Sequence, residues 1–305
     1  MSRPIAMNAG HRSRGWIRAA AWLVLVALCL IPAMGAGPAF AQTSQPRTVS
    51  FPSADGKTML VGYLFAPAGR PKTAPAVVLL HGRSGTYSPQ ARGNYAAVTI
   101  DKRIRSWAET WSAQGYWALV VDSFGPRGYP AGFASSDAAP AAVNDLAVRP
   151  LDAYGALRYL RASPRVKGDR VALFGWSDGA TATLASMERA ALNVAEAQPG
   201  KGFRTAIALY PACDLDGRLR GDAYAPYAPV HIFIGSRDQN TSPAACEKLA
   251  ATTRASGGDL AVTLLPGASH DFDNAARERQ QLSADASATE RTRRQAETLL
   301  TSAFR

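Results

Sequence analysis

Cysteine is scarce, with three in 305 residues, and histidine is nearly as rare at four. Neither type recurs at CxxC or HxxxH spacing, so no metal-ligand set is written in the chain and no metal is expected. Acidic residues are also few, 23 against 34 basic ones. The basic residues are scattered without a dense Lys/Arg run, which argues against nucleic acid as a partner. There is no internal repeat and no linker between domains. Long hydrophobic runs are absent except for one near the N-terminus, Trp22 to Ile31.

That run sits in a recognisable setting. Four positive charges precede it (Arg3, Arg12, Arg14, Arg18), and no acidic residue does. Pro32 and Gly35 interrupt it, and Ala39-Phe40-Ala41 offers a small-residue cleavage site before Gln42. The run is short for a membrane span. Residues 1–41 therefore read as a secretory signal peptide, and no Arg-Arg pair marks the twin-arginine route. Residues 42–305 would then form a single periplasmic or secreted domain with no membrane anchor. Removing the leader takes four of the 34 Lys+Arg and none of the 23 Asp+Glu, leaving a net charge of +7. Cys29 leaves with it. Cys213 and Cys246 remain as an even pair in an oxidising compartment, so a disulfide between them is expected.

The rest of the chain alternates strand and helix signals. Thr48–Phe51 and Met59–Phe65 flank a turn at Asp55-Gly56, a hairpin pattern. Ala76–Leu80 and Tyr116–Asp122 are continuous apolar runs, as in strands buried on both faces of a parallel sheet. Arg170–Phe174, Phe203–Tyr210, Val230–Gly235 and Leu260–Leu265 complete the set. Helical periods fall between them at 97–114, 143–162 (with Pro150 as a start or kink), 180–196 and 243–256, and a charged helix closes the chain at about 283–303. This order predicts an α/β fold, a mostly parallel central sheet with helices on both faces.

One strand runs into Gly175-Trp176-Ser177-Asp178-Gly179, followed by an Ala-rich helix start. Strand, Gly-x-Ser-x-Gly and helix together make a nucleophile elbow. A serine needs a base, and the base an orienting acid. His270, just past the last strand, is the candidate base. His81 reads as loop support and His231 as a strand residue. Asp238, after Val230–Gly235, is the candidate acid; Asp214, Asp216 and Asp222 are weaker, and Asp271 and Asp273 stand too close to the base in sequence. The order Ser177, Asp238, His270 is that of α/β-hydrolases. The N–H groups of Asp178 and Arg83 are the candidate oxyanion donors. Tyr87, Arg127, Trp176 and Tyr210, with Tyr129 and Phe133, are the candidate pocket lining, and Arg83 and Arg127 would favour an anionic acyl group. This chemistry requires no cofactor.

Six segments taken together resemble the dienelactone hydrolase family of α/β-hydrolases. They are Leu80-His81-Gly82-x-x-Gly85; Gly115-Tyr116 with Val121 through Gly128; the elbow; Tyr210-Pro211-x-Cys213; Ile234-Gly235-x-x-Asp238 with Pro243-x-x-Cys246; and Pro266-Gly267-Ala268-x-His270-x-Phe272-Asp273. The resemblance spans roughly residues 50–275 and implies a hydrolase acting on a small-molecule ester. It also supports the cysteine pairing. The chain departs from the family at three places. Family members that open dienelactone use a cysteine where Ser177 stands. They carry a glutamate after the first core strand, where this chain reads His81-Gly82-Arg83. They usually have Gly-Gly where this chain has Gly179-Ala180. Serine ester hydrolysis on that scaffold is therefore the expectation. A cutinase-like polyester hydrolase, a serine peptidase and a non-catalytic binding protein on the same scaffold are the alternatives.

Overall fold

The apolar runs form the middle of one eight-stranded sheet. The computed structural model describes residues 45–133, 139–189, 193–215, 224–274 and 283–305. The expected leader, its cleavage site, and Asp216 and Asp222 lie outside them. Strands β1 (Arg47–Pro52), β2 (Met59–Phe65), β3 (Ala74–Leu80), β4 (Trp117–Asp122), β5 (Val166–Trp176), β6 (Thr205–Leu209), β7 (Val230–Gly235) and β8 (Leu260–Leu265) lie in the order β1-β2-β4-β3-β5-β6-β7-β8. The β1–β2 and β2–β4 pairs are antiparallel and all the others parallel. This is the α/β-hydrolase fold expected from the sequence.

The helices follow from local signals. The Asp101 side chain caps α1 (Lys102–Ala113) by accepting the Arg103 N–H, and Ser242 caps α4 (Pro243–Ala255) through the Ala245 N–H. Pro150 sits in the first turn of α2 (Arg149–Arg161), where its missing N–H costs nothing. The helical period from residue 143 thus becomes a helix only from Arg149. Before it, the Asn144 side chain accepts the N–H groups of Leu146 and Ala147. Helix α3 (Asp178–Met187) is shorter than its sequence suggests. Glu188 leaves it in extended conformation, and Arg189 donates to the carbonyl of Ala225. Helix α5 (Ser283–Ala303) is last.

Every residue of β4 is buried, and β3 is nearly so, as strands covered on both faces must be. Trp107 and Trp111 of α1 pack with Phe174 and Trp176 of β5, and the three tryptophans are fully buried. At about 25 cal/mol per Å² each such ring contributes at most ~4–6 kcal/mol of transfer free energy. Among the described residues no helix is long and apolar enough to cross a membrane.

Candidate active site

Ser177 stands between β5 and α3 with φ 50° and ψ −120°, a conformation that a non-glycine residue adopts only under constraint. The constraint is the close approach of three segments. A Cβ on Gly175 would run into the carbonyl of Gly179, and a Cβ on Gly179 into those of Leu80 and His81. Glycine at both places lets the elbow close against β3. The Ser177 N–H donates to the Leu209 carbonyl at 3.0 Å, which pins the turn to β6.

His270 follows β8. Its Nε2 lies 3.2 Å from Ser177 Oγ and its Nδ1 lies 2.8 Å from Asp238 Oδ2. Asp238 follows β7. Its Oδ1 accepts the N–H groups of Asn240 and Thr241, both at 2.9 Å, and its Oδ2 accepts the Thr241 hydroxyl at 2.9 Å. Burial pushes the Asp238 carboxyl up, but His270 and these donors outweigh it and hold it below the usual aspartate range. Asp238 and His270 are buried; Ser177 is partly exposed and reachable from solvent.

The other two histidines among the described residues are committed elsewhere. Burial, then the charge of Arg149, keeps His81 far below the ordinary imidazole range. Its Nδ1 faces the Gly82 carbonyl at 2.8 Å and its Nε2 accepts the Ser123 N–H at 3.3 Å. His231 pairs with the Thr263 hydroxyl at 2.8 Å, and burial lowers its pKa to about 4.

Asp178 opens α3, so its N–H has no intrahelical partner and lies at the positive end of the helix dipole. Its side chain accepts from Arg83 Nε at 2.8 Å, which joins the loop after β3 to the elbow. The Arg83 guanidinium also lies over Phe133, 5.1 Å from the ring centroid. Behind this pair stands Asp145. Its pKa is raised to about 6 by burial, opposed by Arg149 and reinforced by Asp178.

Four side chains assigned to the pocket from sequence are turned inward instead. Tyr87 donates to Asp122 at 2.9 Å and meets the Tyr63 hydroxyl at 2.7 Å. Arg127 makes a two-pronged contact with Asp152, 2.8 Å on each arm, so its charge serves a buried carboxylate rather than an acyl group. Trp176 and Tyr210 are fully buried and both donate to Asp273, at 2.9 and 2.6 Å. Aromatic area drives these residues into the core, where each polar tip finds an internal partner.

The sequence reading missed what supports the His270 loop. Asp285 of α5 is fully buried and accepts the Ser269 N–H at 2.8 Å and hydroxyl at 2.9 Å. Thr289 donates to the Phe272 carbonyl at 2.9 Å. No local motif distinguishes these residues from others on a charged helix. Cys213, after β6, is joined to Cys246 of α4 as a disulfide. Among the described residues no group of three or more His, Cys, Asp or Glu is arranged to hold a metal ion. A cleft of about 470 Å³ opens beside the N-terminal ends of the strands, near Arg170, Arg204 and Tyr227, and none of the candidate catalytic residues lines it.

The model of the dienelactone hydrolase family matches residues 60–304. The chain belongs to the dienelactone hydrolase family. Similar solved structures include a dienelactone hydrolase-like promiscuous phosphotriesterase from metagenomic libraries. It is 19% identical, with TM-score 0.62, over 85% of this chain and 98% of that one. Another is propionate-bound esterase 2 of Thermogutta terrifontis, 17% identical, with TM-score 0.60, over 86% of this chain and 95% of that one. At these identities the likeness is one of fold. A curated relative, the quorum-quenching protein AidA of Acinetobacter baumannii, is 28% identical over 173 residues. That match takes in 56% of this dienelactone hydrolase family chain and 49% of AidA, so the chain spans about half the length of this relative.

Proposed function

We propose that the protein is an exported serine esterase that cleaves carboxylic esters through an acyl-enzyme. The observation that carries this reading is the continuous relay from Ser177 through His270 to Asp238, at 3.2 and 2.8 Å, beside a helix N-terminus. Ser177 Oγ attacks the ester carbonyl while His270 Nε2 takes its proton. Asp238 holds the Nδ1–H tautomer and stabilises the imidazolium; its lowered pKa keeps it ionised for that task. The N–H groups of Asp178 and Arg83 receive the oxyanion. His270 protonates the leaving alcohol, and a water activated by the same imidazole releases the acid. The basic, acid-free stretch before Trp22–Ile31 and the Cys213–Cys246 pair support export of residues 42–305 as one domain, with residues 1–41 removed.

The test is turnover of p-nitrophenyl esters from acetate to decanoate by residues 42–305, beside Ser177→Ala. Activity abolished in the variant is the expected result, and the chain-length optimum sizes the acyl site. Unchanged turnover in Ser177→Ala would overturn the reading. A fluorophosphonate is a suitable second probe, since a solved relative, Thermogutta terrifontis esterase 2, is described as phosphoramylated by tabun.

A further inference from the structure

We propose that Asp273 is a positioning residue that fixes the separation of Ser177 and His270. The proposal rests on the reading of those two as nucleophile and base. The Asp273 side chain is fully buried. Its Oδ2 accepts the indole N–H groups of Trp107 at 2.8 Å and Trp176 at 2.9 Å. Its Oδ1 accepts the Tyr210 hydroxyl at 2.6 Å and lies 3.9 Å from Nη1 of Arg103. The donors come from three different elements. Trp176 ends β5, one peptide bond before Ser177. Tyr210 follows β6, and its ring centroid is 4.6 Å from that of His270. Trp107 and Arg103 belong to α1. Asp273 itself lies three residues beyond His270. One carboxylate thus joins the strand that carries the nucleophile to the loop that carries the base.

Charge-assisted hydrogen bonds in a dry interior are strong and directional, so three donors on one carboxylate hold its orientation firmly. Arg103 supplies the counter-charge and also binds Asp271 at 2.7 Å and the Tyr210 hydroxyl at 3.1 Å. Burial keeps the Tyr210 phenol well above its ordinary pKa, so it stays protonated and donates. Within the turn after His270 the Asn274 N–H also donates to the Asp271 carbonyl at 2.9 Å, so Asp273 sits in a closed turn directly behind the base. A displacement of about 1 Å between reacting groups costs on the order of 100-fold in rate.

The experiment compares kcat, KM, Tm and the rate of fluorophosphonate labelling in wild type, Ser177→Ala, Asp273→Asn, Asp273→Ala, Trp176→Phe and Trp111→Phe. Trp111 is the packing control, because it lies in the same aromatic cluster but its indole N–H has no hydrogen-bond partner. Asp273→Ala is expected to lower kcat about 100-fold. Asp273→Asn, which keeps one acceptor, and Trp176→Phe should each lower it about 10-fold. KM should stay within about twofold, and labelling should slow in parallel with kcat. Trp111→Phe should lower Tm without changing kcat. Wild-type kcat and labelling in folded Asp273→Asn and Trp176→Phe would overturn the proposal, as would an equal loss of kcat in Trp111→Phe. If the Asp273 variants do not fold, the contrast between Trp176→Phe and Trp111→Phe decides. Full activity in Ser177→Ala would overturn the underlying reading; an inactive Ser177→Ala beside unaffected Asp273 and Trp176 variants would overturn the positioning role alone.

Discussion

The two flanks of the candidate site are held by different forces. On the β3–β5 side the backbone does the work: Gly175 and Gly179 let three segments close on one another, and Ser177 is forced to positive φ. On the β7–β8 side side chains do it. Asp238 gathers the donors of Asn240, Thr241 and His270, and Asp285 holds Ser269 beside the imidazole. Steric closure has little room to relax, whereas a hydrogen-bonded loop loses its supports one at a time. The first flank should therefore fail abruptly under mutation and the second by degrees.

The largest effect should fall where the flanks meet. Ser177→Ala and His270→Ala should each lower kcat by about 10⁴-fold or more while the fold persists, as steady-state kinetics and circular dichroism would show. Unequal losses would show that one flank acts without the other. Next comes the steric side. Gly179→Val should cost more than ~4 kcal/mol, because even a Cβ overlaps the Leu80 carbonyl; denaturant unfolding measures it, and a well-folded variant would break the contrast. The Cys213–Cys246 bond ties the segment after β6 to α4 and closes a loop with a sequence separation of 33, and removing both cysteines as serines should cost ~3–4 kcal/mol by the same measurement.

On the hydrogen-bonded side, Ser269→Ala removes the hydroxyl contact to Asp285 but leaves the backbone one, and should cost about 1–2 kcal/mol. The same side should also carry a pH dependence. His231 in β7 is lowered from 6.5 to about 4, so its contribution is full above the ordinary imidazole pKa and is lost as pH falls through that window. A Tm profile for His231→Gln should be flatter than wild type between those two pH values.

Most of the strands were legible in the sequence, because each buried strand of a parallel sheet is a continuous apolar run. Val230–Gly235 and Leu260–Leu265 begin and end where their patterns do. Helix ends were less legible. α3 stops at Met187 because residues near 225, remote in sequence, offer Arg189 and Glu188 extended partners. Side-chain direction at the strand ends was less legible for a related reason. An aromatic residue at a strand end reads the same whether it faces a substrate or the core, and only the carboxylates of Asp122 and Asp273 show that Tyr87, Trp176 and Tyr210 face inward. Asp273 stands too close to His270 in sequence to orient it, yet that nearness puts its carboxylate between the base loop and the Trp176 indole.

The sequence by itself determined the sheet's alternation, the family and the elbow, since these depend on patterns within a few residues of one another. The tertiary structure decided which histidine stands beside Ser177, which carboxylate meets that histidine, and which buried groups brace them. Those pairings join residues 93 and 32 positions apart, and no local propensity encodes a contact that only the register of β5, β7 and β8 brings within hydrogen-bond reach.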